Sequence, residues 1–348
     1  MILRFTNNPI IKPADFKPVE SGFKVVSACN CAATEYNHRI VLLIRVEEVP
    51  EEKKGYFSAS IFNKRSGRYS VSYISNNDPE LDTKTSWVIR YKNKPCFSGI
   101  SRLYLAISED GKNFKINKEP SLYPEKNYEE FGIQDPRITF IDDTYYITYV
   151  AVSSYGIVTC LAKTKDFIKF TKLGIIFGPD NKDVAIFPTK IKREYWCFHR
   201  PGSSIGKLSI WLAASDNIMN WGNHILLISP RKGMWDSERV GAGAPPIRTH
   251  KGWLEIYHGK DDNGIYSLGI LLLDLKKPFK IIARSRTPIL KPEMWYEQKG
   301  ITPNVIFSTG IIQKCENKII IYYGAADTVT CAAEIDTNEI INNITETT

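Results

Sequence analysis

Four segments of the chain place acidic or basic residues in otherwise apolar surroundings. The first is FGIQDPRITF (131–140), in which Asp135 is followed by Pro136 and Arg137. A proline restricts the residue before it to an extended backbone, so Asp135 is expected at the entrance to a strand. The residues leave two interpretations open: an aspartate that forms a turn, or an acid at the mouth of a ligand-binding channel.

The second segment, NKDVAIFP (181–188), places Lys182 and Asp183 directly before an apolar run. A lysine–aspartate pair at the start of a strand is common in solvated turns. Taken alone, the pair predicts a surface turn. The prediction of a functional site therefore depends on the other segments.

The third segment is MWDSERVGAGAPPI (234–247), a loop rich in glycine and proline that contains Arg239. Glycines 241 and 243 with two prolines predict a rigid, irregular backbone that a ligand can approach closely. It is not a dinucleotide fingerprint, because no helix follows. Arg239 suits a bidentate contact with an oxyanion, and a solvated arginine beside a structural turn is the alternative.

The fourth feature is a pair of segments, GWLEIYHG (252–259) and YYGAAD (322–327), that end in polar residues. His258 and Asp327 come at equivalent positions in two copies of a repeated strand, which we take to be the innermost strand of each repeat. The chain also holds 7 Trp and 18 Tyr. Aromatic faces beside fixed polar groups are the surfaces against which sugar rings pack.

Five copies of a two-strand repeat must position these residues. The first strand of the pair is rich in β-branched and aromatic residues, and its copies are RIVLLIRVE (39–47), TYYITYVA (144–151), EYWCFHRP (194–201), GWLEIYHG (252–259) and KIIIYYGAAD (318–327). The second strand ends in a charged turn, and its copies are LYLAISEDGKNF (103–114), VTCLAKTKDFIKF (158–170), SIWLAASDNIMNW (209–221), LGILLLDLKKPF (268–279) and VTCAAEIDTNEI (329–340).

The repeat predicts an all-β, five-bladed β-propeller formed by one domain over 1–348, with an insertion near 50–100. A two-sheet sandwich would not explain so long a period. A propeller binds its ligand where the strands of all blades converge. The strand ends should therefore meet in one constellation, which contains Arg45, Asp135, His199, Arg200, His258 and Asp327.

The net charge of +8 and a pI near 8.9 permit an anionic partner. No run of five basic residues and no RNP-like or zinc-finger spacing is present, so we expect no nucleic-acid partner. A solvated basic surface or a small anion such as phosphate fits the charge.

The seven cysteines are odd in number and irregularly spaced, which is typical of buried thiols in a reducing compartment. Cys29 and Cys31 lack a second pair, so no metal site is expected. No stretch of eighteen apolar residues and no secretory signal is found. These features predict a cytoplasmic protein without membrane attachment, and assembly into a homo-oligomer is left open.

Taken together, the segments resemble glycoside hydrolase family 130, the mannoside phosphorylases and related mannosidases. The matching pieces lie in order over residues 39–327: LLIRVEE, FGIQDPRIT, NKDVAIFP, CFHRP, WDSERVGAGAPPI with GWLEIYHG, LLLDL, ITPNVIFSTG and IYYGAAD. The family fold is a five-bladed propeller, in agreement with the repeat count.

The resemblance implies phosphorolysis of a β-mannosidic bond with inversion, which yields α-mannose 1-phosphate. Asp135 is then the general acid, acting through the mannose 3-hydroxyl. The implied phosphate-binding set is Arg45, Lys182, Arg239, His258 and Tyr266. The substrate-binding residues, from the resemblance and the strand ends, are Asn30, His199, Arg200 and Asp327. Phosphate is a co-substrate, and no cofactor is expected.

Three alternatives stay open at this point. Some family members are hydrolases that carry acidic residues in place of phosphate ligands, and Glu238 could be the second carboxylate of such an enzyme. Gln134 also stands where the family usually has Glu. A non-catalytic, lectin-like propeller is the second alternative. The third concerns linkage, for which we expect short β-1,2-mannosides rather than β-1,4-linked ones.

Overall fold

The computed structural model describes residues 2–63, 65–83 and 89–345, and there the chain consists mostly of antiparallel β-strands. The helical segments in these ranges are short: Pro13–Asp15, Asn127–Glu129, Trp295–Gln298 and Thr337–Thr345. No helix among the described residues has the length and apolar character needed to cross a membrane. The predicted all-β class is therefore confirmed.

Five antiparallel sheets follow one another along the chain, and we number them 1 to 5. Each has a path of four strands, which we call first to fourth in the order in which they are hydrogen-bonded. Sheet 1 contains Phe23–Tyr36, Arg39–Pro50, Ile100–Ser108 and Lys115–Ile116. Sheet 2 contains Ile133–Ile141, Thr144–Ser153, Gly156–Thr164 and Thr171–Phe177. Sheet 3 contains Asn181–Ile186, Tyr195–Pro201, Ile210–Asn217 and Asn220–Ile228.

Sheets 4 and 5 repeat this order with two variations. Sheet 4 contains Arg239–Gly241, Trp253–Lys260, Tyr266–Leu273 and Ile281–Arg284, and Ile247–Arg248 also pairs with its second strand. Sheet 5 contains Ile306–Cys315, Lys318–Ala325, Val329–Asp336 and, as its fourth strand, the N-terminal Ile2–Arg4. The N-terminal strand therefore pairs with the last strand of the described chain, Val329–Asp336.

An insertion separates the second and third strands of sheet 1, as the sequence predicts. It forms a hairpin of Tyr56–Asn63 and Arg68–Ser75, followed by a small sheet of Leu81–Asp82, Ile89–Tyr91 and Lys94–Cys96. The chain then returns to sheet 1.

The two repeated sequence patterns are the second and third strands of all five sheets. The interpretation of the first pattern as the innermost strand is wrong. The first strands take part in most of the contacts between different sheets, and Phe23–Tyr36, Ile133–Ile141 and Ile306–Cys315 contact one another directly. Sequence reasoning missed them because their apolar runs are interrupted by polar residues and bulges.

Five large hydrophobic clusters each join two neighbouring sheets. The pairs are represented by Leu43 with Ile147 for sheets 1 and 2, Leu161 with Ile186 for 2 and 3, Phe198 with Leu271 for 3 and 4, Leu254 with Ile321 for 4 and 5, and Tyr322 with Leu42 for 5 and 1. Apolar contacts therefore run from sheet 1 through sheet 5 and return to sheet 1. Burial of these side chains provides the main driving force for folding.

The first strands of sheets 1, 2 and 3 each contain a bulge at an Asn or Asp with a left-handed backbone. The residues are Asn30, Asp135 and Asp183, with φ of 49°, 49° and 55°, and the pairing register shifts at each of them. Asn and Asp tolerate this conformation better than other non-glycine residues. The expectation that Pro136 holds Asp135 in an extended backbone at a strand entrance is therefore wrong, because Asp135 lies in a bulge inside Ile133–Ile141. A bulge re-aims the side chain it carries, and three polar groups are thus presented at equivalent positions.

A largely buried ion pair joins the N-terminal strand to the helix Trp295–Gln298. Arg4 Nε lies 2.7 Å from Glu297 Oε1, and the Glu297 side chain is 0% exposed. Tyr323 donates its hydroxyl proton to the same oxygen at 2.8 Å. Glu297 therefore depends on Arg4 for its counter-charge.

We expect Arg4→Met to lower the free energy of unfolding by about 3 kcal/mol, because it leaves a buried carboxylate without its cation. Lys24→Met is the matched control, since it breaks an exposed pair with Glu52 and should cost less than about 1 kcal/mol. Denaturant titration of both variants gives the two values. Equal losses would show that the Arg4 pair is no stronger than a surface pair.

Candidate active site

A cavity of about 790 Å³ opens where residues of all five sheets and the insertion meet. Nine of the ten residues predicted as the acid, the phosphate set and the substrate set line it: Asn30, Arg45, Asp135, Lys182, Arg200, Arg239, His258, Tyr266 and Asp327. They are up to 297 positions apart in the chain (30 to 327). The cavity is therefore the candidate active site.

Asp135 is the carboxylate held between sheets 1 and 2. Its Oδ1 accepts hydrogen bonds from Asn30 Nδ2 at 3.0 Å and from Arg45 Nη1 at 3.2 Å. Burial opposes ionisation, but Arg45, the Asn30 amide and Lys182 outweigh it and hold the pKa of Asp135 below its ordinary value. The side chain is thus a buried carboxylate whose ionised form is favoured by its neighbours, and the interpretation as a simple turn residue does not describe it.

Arg45 extends this cluster to a second acid and to the rim of the site. It pairs with Cys29 across sheet 1, and its Nη2 donates to Glu47 Oε2 at 2.8 Å. The guanidinium therefore bridges two carboxylates, and its orientation towards Asp135 is fixed from both sides.

Asp327 lies beyond the end of a strand, not within it. It occupies the turn between the second and third strands of sheet 5, with φ of 52°, whereas His258 lies inside the second strand of sheet 4. The expected equivalence of the two positions is therefore wrong in detail, although both side chains reach the cavity. Burial raises the pKa of Asp327, against the opposing effects of Thr302 and Arg45.

A compact group of charges occupies the side of the cavity formed by sheets 3 and 4. Asp183 Oδ2 lies 3.0 Å from Arg200 Nη1 and 3.5 Å from His258 Nε2, and its Oδ1 accepts a hydrogen bond from Arg137 Nη2 at 3.1 Å. Burial, opposed by Asp183 and reinforced by three arginines, lowers the pKa of His258 to about 3. Histidine is therefore neutral there at physiological pH.

Asp183 is the main residue that sequence reasoning missed. The prediction that the Lys182–Asp183 pair forms a surface turn is wrong, because Asp183 is 1% exposed. It occupies the bulge of the first strand of sheet 3, equivalent to Asp135 in sheet 2. The alignment of IQDPRITF with NKDVAIFP was the available signal.

Lys182, next to Asp183 in the chain, is also drawn into the site. It pairs across sheet 3 with Arg200. Burial and repulsion by Arg200 lower the pKa of Lys182 despite the nearby carboxylates of Asp135 and Asp183. An anion bound in the cavity would relieve this repulsion.

Arg239 and Glu238 form an ion pair at the edge of the site. Arg239 Nε donates to Glu238 Oε2 at 2.7 Å, and Lys260 Nζ lies 3.6 Å from the same oxygen. Burial opposes ionisation of Glu238, but these two cations outweigh it and lower its pKa. Glu238 is not among the residues that line the described cavity.

His199 is likewise absent from the cavity lining. Its Nδ1 lies 3.1 Å from Asn181 Nδ2, its Nε2 lies 3.1 Å from His224 Nδ1, and its ring stacks on Phe177 at 4.7 Å. Burial and His224 lower the pKa of His199 to about 3. The structure gives this histidine a packing role, whereas its neighbour Arg200 faces the cavity.

The cavity also contains residues that the sequence did not single out. Arg90, Pro95 and Phe97 come from the insertion, and Lys260 follows His258 by two positions in the same strand. Alternation along that strand was a signal for Lys260. Nothing in the insertion sequence indicated which of its residues face the site. Among the described residues, no group of three His, Cys, Asp or Glu side chains is arranged to hold a metal ion.

We expect Asp183→Ala to lower the free energy of unfolding by about 3–5 kcal/mol, because Arg137 and Arg200 lose a shared buried counter-charge. Asp262→Ala is the control, since that carboxylate is 69% exposed and 4.0 Å from Lys207. Denaturant titration compares the two. An Asp183→Ala loss as small as that of the control would contradict the ion network around Asp183.

Comparison with known proteins gives consistent results for sequence and structure. The family model of glycoside hydrolase family 130, described as beta-1,4-mannooligosaccharide phosphorylase, matches residues 74–346. A β-1,2-mannobiose phosphorylase of Listeria innocua is 39% identical over 99% of this chain and 98% of its own. A 1,2-β-oligomannan phosphorylase of Thermoanaerobacter is 42% identical over 69% of this chain and 80% of its own.

The fold comparison agrees over nearly the whole chain. The structure of the β-1,2-mannobiose phosphorylase of Listeria innocua in complex with β-1,2-mannobiose superposes with a TM-score of 0.93, at 39% identity and 99% coverage of both chains. The family resemblance drawn from the sequence motifs is confirmed by these matches, and the chain belongs to glycoside hydrolase family 130.

Proposed function

We propose that this protein is an inverting phosphorylase that cleaves short β-1,2-linked mannosides with phosphate and releases α-mannose 1-phosphate. The observation that carries the proposal is one buried carboxylate, Asp135, in a cavity that also presents a convergent set of cations. The two relatives above are named for β-1,2-linked substrates, and the one from Listeria innocua matches 99% of this chain. The family description, which names β-1,4 linkage, matches residues 74–346.

The charge of the cavity favours phosphate over water as the nucleophile. Its described lining contains six basic side chains, Arg45, Arg90, Lys182, Arg200, Arg239 and Lys260, and four carboxylates, Asp135, Asp180, Asp183 and Asp327. A phosphate dianion needs convergent cations in a sheltered site. An inverting hydrolase instead needs a second carboxylate that is free to activate water.

Three of the other carboxylates in or beside the cavity have partners within the protein. Asp183 binds arginines, Asp180 Oδ1 accepts a hydrogen bond from the Ile157 amide at 2.8 Å, and Glu238 is paired with Arg239 outside the cavity lining. These contacts support phosphorolysis over hydrolysis, in which Glu238 would be the base.

In the proposed reaction, phosphate occupies the side of the cavity formed by Lys182, Arg200, Arg239 and His258. A phosphate oxygen attacks the anomeric carbon from the face opposite the glycosidic oxygen, and the C–O bond to the leaving sugar breaks. Asp135 supplies the proton for that oxygen through the mannose 3-hydroxyl. Bound phosphate would offset Arg45 and Lys182, raise the pKa of Asp135 and so allow it to act as an acid.

His258 suits this role as a neutral hydrogen-bond donor. Arg200 Nη1 lies 3.2 Å from His258 Nε2. A guanidinium only donates, so Nε2 accepts and the proton resides on Nδ1. Within the described residues, Nδ1 has no hydrogen-bond partner, and we assign it to a phosphate oxygen.

We further propose that the five sheets are the blades of a β-propeller and that residues 1–348 form one domain. The support is the succession of clusters that leads from sheet 1 to sheet 5 and back, together with the N-terminal strand in sheet 5. Phosphate and a small oligosaccharide are the proposed ligands. Cytoplasmic location, homo-oligomer formation and the lack of a cofactor stay predictions.

The function is tested by incubating the protein with β-1,2-mannobiose, with and without phosphate. We expect mannose 1-phosphate and mannose with phosphate, and negligible turnover without it. Asp135→Asn should lower kcat by about 10² or more because the proton donor is lost. Arg239→Ala should weaken apparent phosphate affinity by about 2 kcal/mol, with less effect on sugar binding.

Two outcomes would contradict this assignment. Release of mannose at equal rates without phosphate, abolished by Glu238→Gln, would identify a hydrolase. Binding of mannobiose without turnover, unaffected by Asp135→Asn, would identify a lectin. An unchanged phosphate response in Arg239→Ala would show that Arg239 is not part of the anion site.

A pH series tests the neutral state of His258. Sulfate is the probe, because it resembles phosphate but does not titrate between pH 5.5 and 7.5. With a pKa of about 3, His258 is uncharged throughout this range. The inhibition constant of sulfate should therefore not increase as the pH rises through 6.5. A loss of affinity around pH 6.5 that His258→Gln abolishes would show that the imidazolium is the binding form.

A further inference from the structure

One wall of the cavity takes no part in the proposed reaction steps, although its Arg90 adds to the basic charge of the lining. Arg90, Pro95 and Phe97 of the insertion line it together with Val152 and Ile157 of sheet 2. Pro95, Val152 and Ile157 have aliphatic side chains without a polar group, and Phe97 adds an aromatic face. This composition differs from the cationic side formed by sheets 3 and 4.

Phe97 is held in place from two directions. Its ring packs on Phe131 with centroids 4.3 Å apart and an interplanar angle of 36°, in a cluster that also contains Val152 and Ile157. Its carbonyl oxygen accepts a hydrogen bond from the Ser60 amide at 2.9 Å. Because one face is packed and the backbone is anchored, the half-buried ring can act as a rigid surface for a ligand.

The backbone after Phe97 connects this wall to the proposed catalytic residues. At Gly99 a side-chain carbon would collide with the carboxylate of Glu47, and Glu47 accepts a hydrogen bond from Arg45 at 2.8 Å. Arg45 in turn binds Asp135. The insertion is thus seated directly against the cluster that contains the acid.

Inversion determines which part of the substrate faces this wall. The nucleophile and the leaving group occupy opposite faces of the sugar that is transferred. Lys182 and Arg200 belong to sheet 3, Arg239 and His258 to sheet 4, and Asp135 lies on the first strand of sheet 2. The wall is built by sheet 2 and the insertion of sheet 1, so it shares a sheet with the acid and contains none of the four residues proposed to bind phosphate.

We propose that Phe97 is a specificity-determining residue that provides the platform for the leaving sugar, which is the acceptor in the reverse reaction. The inference rests on the proposed function. The C–H groups of a pyranose pack against an aromatic face, and its hydroxyls can bond to Arg90, Ser153 and Ser154, which line the same part of the cavity. The platform selects the acceptor and takes no part in phosphate binding.

The test compares Phe97→Ala and Phe97→Leu with the unchanged protein in the synthetic direction, using α-mannose 1-phosphate and mannose. We expect the KM for mannose to rise about tenfold in Phe97→Ala, and less in Phe97→Leu, which keeps apolar bulk. The KM for mannose 1-phosphate, and for phosphate in the forward direction, should stay within about twofold. The ratio of kcat/KM for mannose to kcat/KM for glucose as the acceptor should fall.

Tyr73→Ala is the matched control, because Tyr73 is an aromatic residue of the same insertion, 42% exposed and absent from the cavity lining. It should leave every kinetic constant unchanged. Melting curves show whether each variant is folded. If Phe97→Ala is unstable, the comparison of Phe97→Leu with the unchanged protein still tests the proposal. An unchanged KM for mannose in both variants, or an equal rise in the KM for phosphate, would overturn the proposal. Absence of phosphate-dependent turnover in the unchanged protein would refute the proposed function instead.

Discussion

The guanidinium of Arg137 links the sheets that build the site. Its Nε donates to the Gly243 carbonyl at 2.5 Å, and its Nη2 donates to the Ala242 carbonyl at 2.9 Å and to Asp183 at 3.1 Å. Its Nη1 also donates to the backbone carbonyl of Asp135 at 3.3 Å. One side chain, 1% exposed, thereby fixes sheet 2 to sheet 3 and to the loop of sheet 4. Such a buried cation is tolerable only because several acceptors compensate its lost hydration.

Contacts within the protein pair the buried carboxylates Asp135 and Asp183 with cations. Asp135 is stabilised by Arg45 and Asn30, and Asp183 by arginines of two sheets. A phosphate dianion would enter a site whose cations are already oriented, which lowers the cost of ordering them. It would also compete with Asp135 for Arg45, and this competition links anion binding to the protonation of the proposed acid.

The insertion adds a wall to the cavity without interrupting the sheets. It leaves sheet 1 after its second strand and returns at its third, so the register of Arg39–Pro50 with Ile100–Ser108 is uninterrupted. Loops placed on a rigid framework commonly carry specificity. Phe97 therefore lies on a segment outside the five sheets, whereas Arg45 and Asp135 lie within sheets 1 and 2 and contact each other directly.

The sequence by itself determined the strand class, the number of repeats and most of the polar residues in the cavity. β-Branched and aromatic runs are local signals, and the second and third strands of each sheet display them without interruption. The first strands were not recognised because their bulges at Asn30, Asp135 and Asp183 break the alternation. Arg45, Arg200 and His258 were predicted to share one site because they lie near the ends of copies of the same repeated strand, and all three line the cavity.

Only the tertiary structure decided which polar residues are buried, paired or excluded. Asp183 follows Lys182 in the sequence, and Glu238 precedes Arg239. Asp183 is nevertheless buried among arginines, whereas Glu238 lies outside the cavity lining. His199 and Arg200 are adjacent, but alternation along the strand sends them to opposite sides. Burial, counter-charges and the approach of the insertion all depend on distant segments, so local sequence could not specify them.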